Sequence, residues 1–470
     1  MTESRKERGT KKEGPSGTDC RGSGIQRSEI LCVCVQKIMW HDPFRVQKGE
    51  RDLKKVRFLW RTVWILCVSI IVVIIMFFKQ NNPDMEKKTE EYENVVKIMA
   101  PYTTHDQRNA LNTVARKYEG SHAGTKIQIE YIPRENYKRE IALRQDEQNM
   151  ADIVICSSVQ MQSLIKMGIF KTYQVTGKMK RSTLTDLWSS VMYNGNYYGK
   201  PLTSDPYILF YNKDAMDTKG LSVPSSWSSF METAEKIAAK GSYGFGFAAR
   251  DSEESARFFM LMLYAKQGNL YTIEQNAGIS AFADLQYMKQ KEILPPDIIN
   301  LNQEDLANAF SRGEVRMMIS QLSMEAVIRE NKPSFEVGVA QLPGEKSDWT
   351  FDAGDDIGFT VNASAEANTF LNYLFEEKTY MGLCKGMQVI PAFGEDYQND
   401  EEFYYEGKNS LMKDLKTENK DHAIVVNEAW FSIAEELAEG VNECLEGNTE
   451  SPEIIAKNIQ DAVRVSILER

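Results

Sequence analysis

From residue 95 onward, short apolar runs alternate with longer stretches of helical periodicity. Residues 95–99 (Val-Val-Lys-Ile-Met) form a strand-like run that stops at Ala100-Pro101. Thr104 or Asp106 then stands where a short polar side chain can take a free N–H of a first helical turn, and the helix is expected to reach about Tyr118. Ile127, Ile129 and Tyr131 alternate with polar residues as a second strand, and 137–148 reads as a helix. Ala151-Asp-Ile-Val-Ile-Cys156 is a further apolar strand, followed by Ser157-Ser158. Strands separated by helices predict an α/β chain with a mostly parallel sheet. In such sheets solutes sit beyond the carboxyl ends of the strands, which singles out Thr103, Thr104, Ser157 and Ser158.

The pattern continues downstream. Gly199 and Pro201 shape a turn, 208–211 is rich in β-formers, and Pro224 precedes a helix with Ser225 or Ser226 as its cap. Trp227, Phe230, Met231, Ala234, Ile237 and Ala238 fall on one face of that helix, which makes Trp227 a core residue. Ala367, Phe370, Leu371, Leu374 and Phe375 make a second apolar stripe. A long amphipathic helix carries Trp430, Ile433, Ala434, Leu437, Ala438, Val441 and Leu445.

One segment breaks the globular pattern. Residues 62–78 contain no charged side chain, and as a helix they span roughly 25 Å, near the lower limit for a bilayer. Arg61 and Lys79 bound the run, and six Lys or Arg lie between Lys48 and Arg61. The positive-inside rule then predicts a signal anchor at 59–79, a disordered basic cytoplasmic tail at 1–58, a polar stalk at 80–93, and everything beyond outside the cell membrane. Residues 1–61 carry 15 Lys and Arg against 8 Asp and Glu, leaving 41 against 59 for the rest. An acidic body without a basic stripe argues against nucleic acid as a partner. Of the seven cysteines only Cys156, Cys384 and Cys444 lie beyond the apolar run, so disulfides are not expected to hold the fold together. Four scattered histidines and no metal-spaced cysteines predict neither a metal site nor a cofactor.

Tyr197-Tyr-Gly-Lys-Pro-Leu-Thr-Ser-Asp-Pro-Tyr-Ile-Leu-Phe-Tyr-Asn-Lys-Asp214, followed by Pro224-Ser-Ser-Trp-Ser-Ser-Phe230, resembles the family 1 extracellular solute-binding proteins, relatives of maltose-binding protein. Phe310-Ser-Arg-Gly-Glu-Val-Arg-Met-Met-Ile-Ser320, Val337-Gly-Val-Ala-Gln-Leu-Pro343 and Phe351-Asp-Ala-Gly-Asp-Asp-Ile-Gly-Phe359 are similar to further family segments in the same order. The resemblance spans about 93–470. It implies a type II two-lobe clamp, with lobe 1 from 94–206 and 357–392 and lobe 2 from 207–353 and 396–470. Crossings are expected near 206–209, 353–357 and 391–396.

The resemblance also implies a non-enzymatic, monomeric receptor that closes on a small polar solute, expected to be a sugar, and hands it to the permease subunits of an ABC importer. A ligand sensor reporting to a membrane regulator is the alternative. The expected ligand residues are Thr103, Thr104 and Ser157 from the first lobe and Asp205 and Tyr207 at the crossing. Arg250, Asp251 and Trp430 are expected from the second lobe. Trp349, Asp352, Asp355 and Asp356 sit on the return segment, where the carboxylates could bind hydroxyls, a cation or an ammonium group, or simply form a solvated hinge. Arg250 and Asp251 could pair with each other instead, the Tyr207 ring could pack between lobes, and Trp430 could belong to the core. Two departures matter. Gln321-Leu322-Ser323 stands where many sugar binders have Gly-Pro-Trp, and Cys156-Ser157 replaces an aromatic position. A monosaccharide, a polyol or another polar solute therefore stays open.

Overall fold

The computed structural model describes residues 93–176, 187–345, 349–393, 421–423, 427–447 and 450–468, together with Ser69. The expected tail, anchor and stalk lie outside the described residues, apart from Ser69 and Glu93. The single-pass location in the cell membrane is corrected: among the described residues no helix is long and apolar enough to cross a membrane. An uncharged run is needed for a span but does not by itself make one.

The first lobe begins as the apolar pattern requires. Strand β1 (Asn94–Ala100) leads to helix α1 (His105–Ser121), whose N-cap Thr104 accepts from the Gln107 amide. Strand β2 (Thr125–Tyr131), helix α2 (Arg134–Asp146), strand β3 (Ile153–Ser157) and helix α3 (Ser158–Lys166) follow. β1 pairs in parallel with β2 on one side and β3 on the other. β3 is buried throughout, and apolar up to Cys156, because both of its faces are covered. Ile153 and Ile155 join one core cluster, and Val154 and Cys156 join the other. Helix α4 (Trp188–Val191) then leads to a small hairpin of β4 (Met192–Tyr193) and β5 (Asn196–Tyr197). The short strands β6 (Lys200–Pro201) and β7 (Thr203–Ser204) bring the chain to its first crossing at Asp205-Pro206.

Strand β8 (Tyr207–Asn212) opens the second lobe. Its alternation sends Tyr207 and Leu209 into one core and Ile208 and Phe210 into another. Helix α5 (Lys213–Lys219) is capped by Asn212, and α6 (Trp227–Ile237) by a Ser226–Ser229 capping box. Trp227 is buried and its Nε1 donates to Asp284 at 2.7 Å. Strand β9 (Tyr243–Gly246), helices α7 (Ser252–Ala265), α8 (Asn276–Gln290) and α9 (Gln303–Ser311), and strand β10 (Val315–Gln321) come next. Helix α10 (Glu325–Asn331), strand β11 (Val337–Ala340) and strand β12 (Trp349–Phe351) complete this passage. The sheet runs β11-β8-β10-β9.

The return crossing is Asp352–Gly354. Gly354 is required there, since a Cβ would lie 2.0 Å from the Thr203 carbonyl oxygen of the outgoing strand. Strand β13 (Asp355–Phe359) then inserts antiparallel beside β3, so the first sheet runs β2-β1-β3-β13-β6. Helices α11 (Ala365–Leu374) and α12 (Glu377–Met387) cover that sheet, and β14 (Ile390–Pro391) pairs with β7. Strand β15 (Asp421–Ala423) pairs with β12, and helices α13 (Trp430–Glu446) and α14 (Pro452–Leu468) pack into the core of the second lobe. The result is a two-lobe α/β clamp whose crossings lie side by side, with Pro206 bridging Asp352.

Candidate functional site

Helices α1 and α2 of the first lobe and α7 and α9 of the second begin around one cavity of about 50 Å³. Pro101, Thr103, Gln107 and Arg134 form its first-lobe wall. Asp251, Glu254 and Arg257 come from the start of α7, and Asn302, Gln303 and Glu304 from the start of α9. Gln321, Ser323 and Met324, at the end of β10 and just beyond, close it. Each helix start presents about half a positive charge from its free N–H groups. Acidic first turns on α7 (Glu253, Glu254) and α9 (Glu304, Asp305) offset that field.

Two guanidinium groups reach the cavity from opposite sides. Arg134 donates from Nη2 to Asp355 Oδ1 at 3.2 Å, while its buried Nη1 has no partner among the described residues. Burial opposes the Arg134 charge, but the neighbouring Asp355 carboxylate outweighs it and the group stays protonated. Arg257 is 1 % exposed, donates from Nη2 to Glu253 Oε2 at 2.7 Å, and keeps a buried Nε without a partner among the described residues. Each arginine is thus neutralised from behind by one carboxylate and retains an N–H for something else. A buried donor without an acceptor costs about 1–3 kcal/mol, which a solute oxygen would recover.

The crossing supplies a second layer. Asp205 accepts from the Ser323 amide at 2.9 Å, the Ser323 hydroxyl at 2.6 Å and Gln321 Nε2 at 3.2 Å. Burial pushes its pKa up to about 7, against the hydrogen bonds from Ser323. Asp352 accepts from the Asp205 and Gly354 amides at 3.1 and 2.9 Å and from the Ser204 hydroxyl. Tyr207 accepts from Gln303 Nε2 at 3.3 Å, and burial pushes its phenol up to about 12.

The residues singled out in the sequence take three kinds of place. Thr103 and Asp251 stand in the cavity wall, Asp251 also capping α7. Thr104, Asp205, Tyr207 and Asp355 lie directly behind wall residues, held by the contacts given above or, for Thr104, as the cap of α1. The others are not brought to the wall. Arg250 pairs with Asp305, not with Asp251. Asp352 is hinge structure. Ser157 is fully buried, and its hydroxyl has no partner among the described residues. Asp356 is 1 % exposed, and burial pushes its pKa up despite the Ser190 hydroxyl beside it. Trp349 and Trp430 sit in the core of the second lobe.

Arg134, Gln160, Glu253 and Arg257 carry no motif that a sequence reading would catch. The available signal is a lone arginine entering the apolar run Phe258-Phe-Met-Leu-Met-Leu263, one turn after a glutamate. Gln321 and Ser323, the residues at the missing Gly-Pro-Trp position, are themselves wall residues. Among the described residues lining the cavity none is aromatic, and among the described residues no group of His, Cys, Asp or Glu could hold a metal ion.

A family model of bacterial extracellular solute-binding proteins matches residues 113–406. A binding protein of Brucella abortus (strain 2308) is 22% identical over 302 residues, covering 61% of this chain and 73% of that one. The multiple sugar-binding protein of Streptococcus mutans is 24% identical over 239 residues, covering 46% of this chain and 56% of that one. The maltose-bound MalE3 of T. maritima superposes with a TM-score of 0.69 at 16% identity, over 79% of this chain and 99% of that one. A solute-binding protein of Agrobacterium radiobacter in complex with ribitol gives 0.69 at 15% identity, over 80% and 99%. At these identities the structural likeness is one of fold.

Proposed function

The chain belongs to the bacterial extracellular solute-binding protein family, and from that premise we propose that it captures a small hydroxyl-rich solute between its lobes and delivers it to an ABC importer. The observation that carries this reading is that two arginines, Arg134 from the first lobe and Arg257 from the second, line one cavity, and each keeps a buried guanidinium nitrogen without a partner among the described residues. A solute that accepts from both holds the lobes together, so closure is favoured by the contacts it makes only in that state.

Solute class is narrowed by what the wall offers. Carboxylates of Asp251, Glu254 and Glu304 accept from hydroxyls, and the arginines donate to them. No ring among the described wall residues provides a stacking face for a sugar, so recognition proceeds through polar groups. A monosaccharide or a linear polyol suits this wall better than an oligosaccharide. The relative named for sugar binding, and the neighbours bound to maltose and ribitol, support a carbohydrate-like solute. No reaction is assigned, because binding and release are all that the clamp requires.

A thermal-shift screen against monosaccharides, polyols, oligosaccharides, amino acids and metal ions tests the reading. A solute at 100-fold excess over Kd stabilises the folded chain by about 2.7 kcal/mol. A monosaccharide or polyol that raises the melting temperature supports the proposal. Stabilisation by amino acids or metal ions alone contradicts it, as does a flat response throughout.

A further inference from the structure

We propose that Glu253 is a positioning residue that ties the orientation of Arg257 to closure of the lobes, by sharing its carboxylate between Arg257 on its own helix and Gln160 on the opposite lobe. The proposal rests on the cleft being the solute site.

Arg257 follows Glu253 by four residues on α7, so the two side chains lie one above the other on a single helix face. A guanidinium that is 1 % exposed is costly without a counter-charge, and its long side chain has many rotamers to lose. Glu253 Oε2 answers both needs by accepting from Nη2 at 2.7 Å. Capping does not occupy it, because Asp251 takes the Glu254 amide at 2.9 Å. Its second oxygen, Oε1, accepts from Gln160 Nε2 at 2.6 Å. Gln160 is fully buried on α3, an element of the first lobe.

The same carboxylate also feels Arg134, the first-lobe guanidinium, and the two arginines repel each other. Bringing the lobes together forces two like charges toward one cavity. Glu253 pairs with Arg257 and adds to the field of Asp355 at Arg134, and Gln160 fixes where it points. When the lobes part, Gln160 and Arg134 withdraw, water solvates the carboxylate, and Arg257 loses its fixed geometry. Arg257 is therefore set toward the solute only in the closed state. One residue makes closure and donor alignment a single event.

The test uses the full chain with spin labels at two exposed positions, Lys117→Cys on the first lobe and Lys240→Cys on the second, and reads the interlobe distance without added solute. Gln160→Ala removes the hydrogen bond, and Gln160→Glu sets two carboxylates against each other. Both are expected to shift the open-to-closed ratio roughly tenfold toward open, the scale of a hydrogen bond to a charged group. The exchanged pair Gln160→Glu with Glu253→Gln restores an amide–carboxylate contact and is expected to return the distance distribution toward that of the parent. A glutamate whose bond to Gln160 does not help to hold the lobes together predicts no such rescue. Distributions unchanged in Gln160→Ala and Gln160→Glu overturn the proposal, as does an exchanged pair that stays as open as Gln160→Glu alone. Thermal shifts of the parent with a panel of monosaccharides and linear polyols, ribitol among them, are recorded in parallel. Their absence counts against the solute reading of the cleft, while the interlobe distances decide the role of Glu253.

Discussion

Ser323 gives both its amide and its hydroxyl to the carboxylate of Asp205, at 2.9 and 2.6 Å. The first crossing between the lobes is thereby clamped to the segment that follows β10, at a residue that itself lines the cavity. Hinge and solute site share these atoms.

Asp205 makes stability depend on pH. Burial pushes its pKa up to about 7, so the folded chain holds this proton more tightly than the unfolded chain, where an aspartate titrates near about 3.9. A raised folded-state pKa contributes stability that is fully present below the unfolded value and is lost as pH rises through about 7. Chemical denaturation at pH 5 and pH 8 should show this loss in the parent. Asp205→Asn should shrink the difference between the two pH values by roughly 2 kcal/mol. An equal pH dependence in both proteins contradicts the assignment.

Trp430 is fully buried in the core of the second lobe, at the first turn of α13. Trp430→Ala should lower the unfolding free energy by about 3–5 kcal/mol, the range for truncating a buried aromatic. Urea denaturation reads this directly. A variant as stable as the parent would place the ring on the cleft instead.

The Arg134–Asp355 pair is enclosed, with side chains 19% and 8% exposed. Removing only the carboxylate strands the arginine, so Asp355→Ala should cost about 3 kcal/mol. Changing both residues, with Arg134→Met added, should recover a large part of that loss. A double-mutant cycle with no coupling would show that the pair is not the counter-charge described.

Gly354→Ala tests the contact between crossings. The new methyl would lie 2.0 Å from the Thr203 carbonyl oxygen, and that oxygen belongs to backbone that cannot rotate away. A loss of at least about 2 kcal/mol in thermal or urea unfolding is expected from overpacking. A neutral effect would mean that the crossings are loosely packed.

Much of the fold was legible because burial leaves a period in the sequence. The alternation at Ile127 and Ile129, the cap at Thr104, the capping serine before Trp227 and the stripe from Trp430 to Leu445 each announce the element that forms there. The site was less so. Asp251 and Thr103 could be placed by their position at element ends, since strand ends and helix starts gather at the cleft. Arg134 and Arg257 could not, because a lone arginine on a helix reads as a solvated side chain until the opposite lobe is brought over it. Trp349 and Trp430 drew attention as aromatic rings, yet the second lobe uses both for packing. The uncharged run at 62–78 shows the opposite risk, a strong local signal read further than one segment allows.

The central claim, that both lobes hold one solute through Arg134 and Arg257, is tested most directly by calorimetric titration of the best monosaccharide or polyol into the parent, Arg134→Gln and Arg257→Gln. Loss of a hydrogen bond from a charged group should weaken binding by roughly 10- to 150-fold in each variant. Thermal unfolding of each variant without solute should show that it still folds. Affinity unchanged in both folded variants would contradict the account.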